Sequence, residues 1–273
     1  MIPAPFEYVR AASVNEAIAA LSADPDAKLL AGGHSLLPAM RLRISRPSAL
    51  VDIGRIEGLS TIRDDGDDIV VGALARHHDV ANSELLQTSC PILAFAAAQI
   101  GDPAVRHVGT IGGSVAHGDP AGDMPAVLLA LDATFVATGA AGTTRTIDAA
   151  SFFTGLFETA LAPTEVLTEI RVPKASGGWS FLKFNRRAQD WAMVGVSAVR
   201  ADDVVRVALT NMGLTPLRAV AVEQALADGA GVADASVLAD HGTAPPDDAF
   251  ASPDYRRALV KVLTHRALEE ALA

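Results

Sequence analysis

The sequence predicts an α+β fold, and three observations carry that expectation. Apolar residues recur at helical spacing in some stretches and alternate in others, but the two patterns do not take turns as a doubly wound parallel sheet requires. LSTIRDDGDDIVVGALA and ATFVATGAAGTTRTI read as antiparallel hairpins, the first around Asp65-Gly66 and the second around a glycine-rich turn. KASGG at 174–178 reads as a linker and a domain boundary, beyond which WSFLKF, MVGVSAVR and VVRVALTNMG read as further antiparallel strands.

The elements follow in order. Ser13 opens the helical pattern SVNEAIAALSADPDA, and Glu16 stands three positions on, as in a capping box. KLLAGGHSLLPAMRLR runs from a short strand through a glycine pair into a helix, and ALVDI (49–53) reads as a strand. HHDVANSELL and CPILAFAAAQIG are expected to be helical. The segment VGTIGGSVAHGDPAGDMPAVLLALDA (108–133) then places a second glycine pair ahead of an apolar helix. EVLTEIRVP alternates like a strand and stops at Pro173, and the last helices are expected from Pro216 and from Pro253. No fixed-period repeat or long low-complexity stretch is present.

Composition narrows the function. Of 273 residues 50% are hydrophobic but only 5% aromatic, so the core rests on Ala, Val, Leu and Ile. The 22 basic and 32 acidic residues give a formal charge of −10, which argues against a nucleic-acid or anionic-membrane surface. The single cysteine, Cys90, excludes an internal disulfide framework and a chain-contained iron–sulfur cluster, and is read as buried packing ahead of Pro91. MIPAPFEYVR lacks a signal pattern, and Asp132 interrupts the best apolar run, PAVLLALDATFVA. The expectation is a soluble protein of a reducing compartment with no integral membrane segment.

The two glycine pairs, AGGHS (31–35) and TIGGS (110–114), share a setting before a helix. Each is either a plain turn or an anion-binding concavity of exposed N–H groups, reinforced by the helix N-terminus behind it. Two such loops facing each other could grip a pyrophosphate without a basic residue. Neither is a G-x-G-x-x-G after a strand or a G-x-x-x-x-G-K-[ST] loop, so a Rossmann site and a P-loop are unsupported.

AGGHSLLPAMRLR together with IGDPAVRHVGTIGGSVAHGDPAGDMPAVLLALDA resembles the FAD-binding medium subunit of molybdenum hydroxylases, the family of carbon monoxide dehydrogenase and xanthine dehydrogenase. FFTGLFETALAPTEVLTEIRVP, LKFNRRAQDWAMVGVSAV and SPDYRRALVKVL extend the likeness over nearly the whole chain. The resemblance implies a two-lobed FAD-binding fold of the vanillyl-alcohol-oxidase/PCMH type plus a C-terminal α+β domain, a small antiparallel sheet with helices. The implied lobes are 1–55 and 56–175, and the C-terminal domain is 176–273.

The resemblance also implies the site. Ala31, Gly32, Gly33, His34 and Ser35 match the first loop, whose main-chain amides contact the FAD pyrophosphate in the family. Thr110, Ile111, Gly112, Gly113 and Ser114 match the second; Ser114 is shorter than the family's frequent Asn. Asp123 matches a carboxylate that contacts the adenosine portion, Leu167 a position against the flavin ring, and Lys183 a lysine near the flavin's polar edge. A cation there would stabilise negative charge on the reduced flavin and raise its potential. Read without the resemblance, Lys183 is an exposed residue on an edge strand and Asp123 a helix N-terminal residue favoured by the macrodipole. Trp191 either stacks on the isoalloxazine or fills the core, and Asp102 and Arg106 are expected to brace the second loop.

The FAD is expected to be held non-covalently, although a G-G-H loop such as that of His34 also occurs in flavoproteins that attach FAD through histidine. His77, His78, His107, His117, His241 and His265 form no metal-ligand pattern, and no nucleophile motif appears. The implied function is electron transfer in a cytoplasmic complex, a dimer of heterotrimers that could meet a membrane only through the complex. A large partner subunit carries molybdopterin and a small one carries 2Fe-2S clusters. Electrons pass through FAD to a quinone, dioxygen or another acceptor. The rival readings are a stand-alone FAD-dependent oxidoreductase, for which no acid–base constellation is visible, and a non-catalytic module that has lost the cofactor.

Overall fold

A computed structural model describes residues 2–201 and 203–273. The N-terminal unit comprises β1 (Glu7–Arg10), α1 (Val14–Ala23), β2 (Lys28–Leu30), α2 (Leu36–Arg41) and β3 (Ala49–Asp52). Its strands pair in parallel in the order β1-β3-β2, because a helix separates each strand from the next. The Ser13 hydroxyl accepts from the Glu16 N–H at 3.2 Å and the Glu16 carboxylate accepts from the Ala12 N–H at 2.8 Å. A cap of this kind is worth about 1 kcal/mol. Behind it Ala17, Ile18 and Leu21 bury against Ala49, Val51 and Ile53.

The middle unit contains β4 (Ile62–Asp65), β5 (Asp68–Gly72), α3 (His77–Asn82), α4 (Glu84–Ser89), α5 (Pro91–Ala98), α6 (Pro103–Arg106), α7 (Ile111–His117) and α8 (Asp123–Ala130). It continues through β6 (Thr134–Thr138), β7 (Thr144–Asp148), α9 (Ala149–Phe152), β8 (Phe153–Gly155), β9 (Glu158–Thr159) and β10 (Val166–Pro173). Five strands form an antiparallel sheet in the order β4-β5-β10-β6-β7, so the last strand of the unit inserts between its two hairpins. Every residue of α8 is buried, which its nearly unbroken apolar sequence demands.

The C-terminal unit is an antiparallel meander of β11 (Trp179–Phe184), β12 (Val194–Ala201), β13 (Val204–Thr210) and β14 (Leu217–Arg218), followed by α10 (Val220–Ala227), α11 (Val232–Ser236) and α12 (Pro253–Leu272). The helix expected from Pro216 begins at Val220 instead, because Leu217 pairs with Leu209 and extends the sheet first. One sheet face packs on α10, α11 and α12, while Phe181, Val199 and Ala208 on the other join the core of the middle unit.

That shared core explains the 174–178 segment. The Lys174 N–H donates to the Asp67 carbonyl at 3.0 Å and the Ala175 N–H to the Ser89 carbonyl at 2.8 Å, with Ala175 buried. The segment is therefore a packed crossing and not a free linker. Helix α8 is strapped to the C-terminal sheet at both ends. Asp123 pairs with Lys183 at 2.7 Å, and Asp132, just beyond the helix, pairs with Arg218 at 2.7 Å and also with Arg206.

Candidate functional site

The two glycine loops meet. A Cβ on Gly32 would lie 2.5 Å from the Val108 carbonyl oxygen and 2.8 Å from the Gly109 Cα, so only glycine lets the first loop touch the second. Gly33 follows with a left-handed φ of 72° and turns the chain into α2. Among the described residues, the main-chain N–H groups of Gly32, Gly33, His34 and Ser35 have no acceptor within the protein. Four consecutive free donors ahead of a helix suit an anion. Ala31 leads into this loop and packs with the N-terminal core.

The second loop is built differently from the sequence expectation. The Ile111 and Gly112 N–H groups donate to the Ala75 and Ala73 carbonyls, each at 2.9 Å, and the Gly113 N–H donates to the Thr110 hydroxyl at 3.1 Å. The Ser114 N–H closes the first turn of α7 on the Thr110 carbonyl at 3.1 Å. The amides expected to meet a pyrophosphate at Ile111, Gly112, Gly113 and Ser114 thus have protein acceptors, and only the Thr110 N–H has none among the described residues. Gly112 serves packing: its Cβ would lie 2.5 Å from Ala73. The unpartnered N–H groups therefore come mainly from the first loop, with Thr110 as the contribution of the second.

Asp102 and Arg106 brace the segment ahead of the second loop, and among the described residues no hydrogen bond of either side chain reaches Thr110 to Ser114. Asp102 caps α6 by accepting from the Val105 N–H at 2.9 Å, and the Arg106 guanidinium donates to the Ile100 carbonyl at 2.9 Å. His77 lies beneath the loop, donating its main-chain N–H to the Gly109 carbonyl at 3.0 Å. Burial first, then the nearby charges of His34 and Arg106, pushes its imidazole down to about 4. His34 itself is exposed. The rings of His78 and His107 stack with centroids 4.0 Å apart. Cys90 is fully buried and its thiol is pushed up to about 12 by desolvation.

The remaining expected residues fall in unequal places. Lys183 is not an exposed edge residue: its side chain is 7% exposed and its ammonium contacts Asp123 Oδ2 at 2.7 Å and the Gln99 carbonyl at 3.4 Å. Asp123 is likewise enclosed, and its Oδ1 is buried without a partner. Burial pushes its carboxyl above the ordinary value and Lys183 offsets part of that. The resemblance put these residues at the adenosine and flavin ends of an extended dinucleotide; as one ion pair they stand at a single point. Leu167 is buried in the core at a bulge in β10, and Trp191 is 59% exposed, which removes its core alternative. The Gln99 carbonyl and the Val108-Gly109 backbone were missed by the sequence reading, since main-chain contacts across the fold leave no residue signature.

Among the described residues no group of three or more His, Cys, Asp or Glu could hold a metal ion, and no helix is long and apolar enough to cross a membrane.

Two family models match the chain: "FAD binding domain in molybdopterin dehydrogenase" over residues 4–175, and "CO dehydrogenase flavoprotein C-terminal domain" over 179–271. The chain is 43% identical to the carbon monoxide dehydrogenase medium chain of Hydrogenophaga pseudoflava, across 100% of this chain and 99% of that one. It is 36% identical to the glyceraldehyde dehydrogenase medium chain of Sulfolobus acidocaldarius, across 99% of each. Its fold matches a chain in the solved carbon monoxide dehydrogenase of Hydrogenophaga pseudoflava that lacks the Mo-pyranopterin moiety, with a TM-score of 0.96 and 44% identity, covering 100% of this chain and 99% of that one.

Proposed function

The chain belongs to the family of FAD-binding medium subunits of molybdenum-dependent dehydrogenases, and from that premise we propose that it carries FAD as the electron-transfer subunit of a larger complex. In that complex a large molybdopterin chain oxidises the substrate, and a small chain with 2Fe-2S clusters relays the electrons here. The trimer pairs into a dimer of heterotrimers in the cytoplasm. Bound FAD supplies a group that exchanges electrons singly or in pairs, so it can discharge them to a quinone, dioxygen or another acceptor.

The observation that carries this reading is the first loop. The unpartnered N–H groups of Gly32, Gly33, His34 and Ser35 suit a dinucleotide's diphosphate in a chain whose net charge is −10. The fit extends beyond the loop: the Thr110 N–H adds a donor from the second side, and Lys183 supplies a buried cation. Lys183 would favour the negative charge that reduction brings to the flavin. The chain's own work is to bind, orient and tune. The similarity to medium chains of both a carbon monoxide and a glyceraldehyde dehydrogenase supports placing the choice of substrate in the partner chain.

The test is to tag this chain, purify it from the cells that make it, and measure flavin, molybdenum and iron with the identity of co-eluting chains. The reading expects one FAD per chain, released by acid precipitation, and two larger-complex partners that account for the metals. A yellow chain that elutes alone and turns over a substrate would make it a stand-alone flavoenzyme; a colourless chain that takes up no FAD would make it a cofactor-free module.

A further inference from the structure

Helix α2 starts at the first glycine loop and ends in an apolar patch that the protein leaves uncovered. The Arg43 N–H donates to the Met40 carbonyl and the Ile44 N–H to the Ala39 carbonyl, each at 3.0 Å, and Arg43 has a left-handed φ of 63°. This is a Schellman ending with arginine where glycine is usual. In such an ending an apolar residue just after the left-handed one packs back on its own helix. Ile44 holds that position, yet it is 78% exposed, and Leu42 on the other side of Arg43 is 61% exposed. The Arg43 guanidinium donates to the Ile2 carbonyl at 3.0 Å, which draws a further exposed apolar residue to the same place. The rim is basic: Arg41, Arg43 and Arg46 are all exposed, and no acidic residue stands between Leu36 and Ser48. Arg46 donates to the Arg43 carbonyl at 3.3 Å, so the guanidinium groups of Arg43 and Arg46 meet main-chain oxygens and, among the described residues, no carboxylate.

We propose that the patch at 42–46 is the docking surface for the small iron–sulfur chain, whose acidic side chains meet Arg43 and Arg46 while its apolar ones cover Leu42 and Ile44. This rests on the subunit reading above. An apolar centre inside a basic rim, on a chain of net charge −10, is complementary to an acidic protein surface. A two-fold contact between copies of this chain would set the arginines of one patch against those of the other. Three basic residues also fall short of the about 4–8 that a lipid-binding cluster carries. The place suits the chain that delivers electrons. Helix α2 is six residues long, so Leu42 lies roughly 10 Å along its axis from the free amides at its start. Leu37 of the same helix packs on Gly33, where an added Cβ would stand 2.9 Å from its Cδ1, so one rigid element joins the patch to the first loop.

The experiment puts a photo-crosslinking amino acid in place of Ile44 in the tagged full chain, irradiates the assembled complex and identifies the adduct by mass spectrometry. The expected adduct is with the small iron–sulfur chain. In parallel, Ile44→Glu sets a carboxylate against the acidic partner surface. It should lower the co-purified small chain and its iron at least about tenfold while FAD per chain stays at the wild-type level, and Ile44→Val should leave both unchanged. An adduct with the large chain, with a second copy of this chain or with lipid, or no adduct at all, overturns the docking surface. A full complement of small chain on Ile44→Glu overturns it as well. Loss of FAD in equal measure would mark a disturbed fold in that variant, and the adduct then decides. A wild-type chain that brings no metal-bearing chain with it overturns the subunit reading first, and the docking surface falls with it.

Discussion

Gly32 packs against the Val108 carbonyl so closely that an added Cβ would stand 2.5 Å from the oxygen. One contact thereby fixes how loops 76 residues apart in the chain, counted from Gly32 to Val108, approach each other. The opposing atoms are backbone, so they cannot swing aside as a flexible side chain could.

Gly32→Ala should therefore push the first loop off the second. The expected cost is about 1–3 kcal/mol of overpacking strain, with FAD content falling at least about tenfold as the free amides lose their alignment. Denaturant unfolding and the flavin-to-protein ratio check the two parts. A variant with wild-type flavin content would show that the contact does not shape the site.

Acid should destabilise the protein through His77. Its folded-state value is about 4 against an ordinary 6.5, so the folded form prefers the neutral ring. The stability this confers is complete above pH 6.5 and is lost as the pH falls toward 4, amounting to roughly 3 kcal/mol. Urea unfolding across this range should show the loss, and His77→Leu should flatten its slope. An unchanged slope in the variant would assign the acid sensitivity to other groups.

Arg256 is 1% exposed on α12 and reaches Asp248 at 2.7 Å and the Met193 carbonyl. Removing Asp248, itself 37% exposed, leaves the buried cation only the Met193 carbonyl, and Asp248→Ala should cost about 1–3 kcal/mol. Arg256→Met, which replaces the cation by an apolar chain of similar length, should cost distinctly less. Thermal or urea unfolding of both variants gives the comparison, and equal losses would contradict the account of a stranded charge.

The parts of the fold visible in the sequence are those set by local chemistry. Ser13 and Glu16 announce α1 because a capping box is complete within four residues. The hairpin at Asp65-Gly66 is legible for a similar reason: Gly66 takes a left-handed φ of 76° at the turn. Strand β1 was missed because Glu7 to Arg10 are all exposed and show no alternation, its pairing being supplied by β3 from more than forty residues away. The two-residue β14 is equally invisible, since only its register with β13 defines it.

For the site, the sequence marked the residues but not their engagements. Nothing in TIGGS distinguishes amides that face outward from those that Ala73 and Ala75 accept, because those acceptors lie on the far side of a fold contact. Nor does spacing reveal that Asp123 and Lys183, sixty positions apart, form one pair. Trp191 shows the converse: an aromatic residue suggests a core position, yet the loop between β11 and β12 leaves it exposed.

The most direct measurement is an experimental structure of the FAD-loaded complex, read for what surrounds the diphosphate. Its oxygens should lie about 2.7–3.2 Å from main-chain nitrogens of the Gly32 to Ser35 loop, with the Thr110 nitrogen on the opposite side. A diphosphate held elsewhere, with the Gly32 to Ser35 amides turned to water or to other protein atoms, would contradict the assignment.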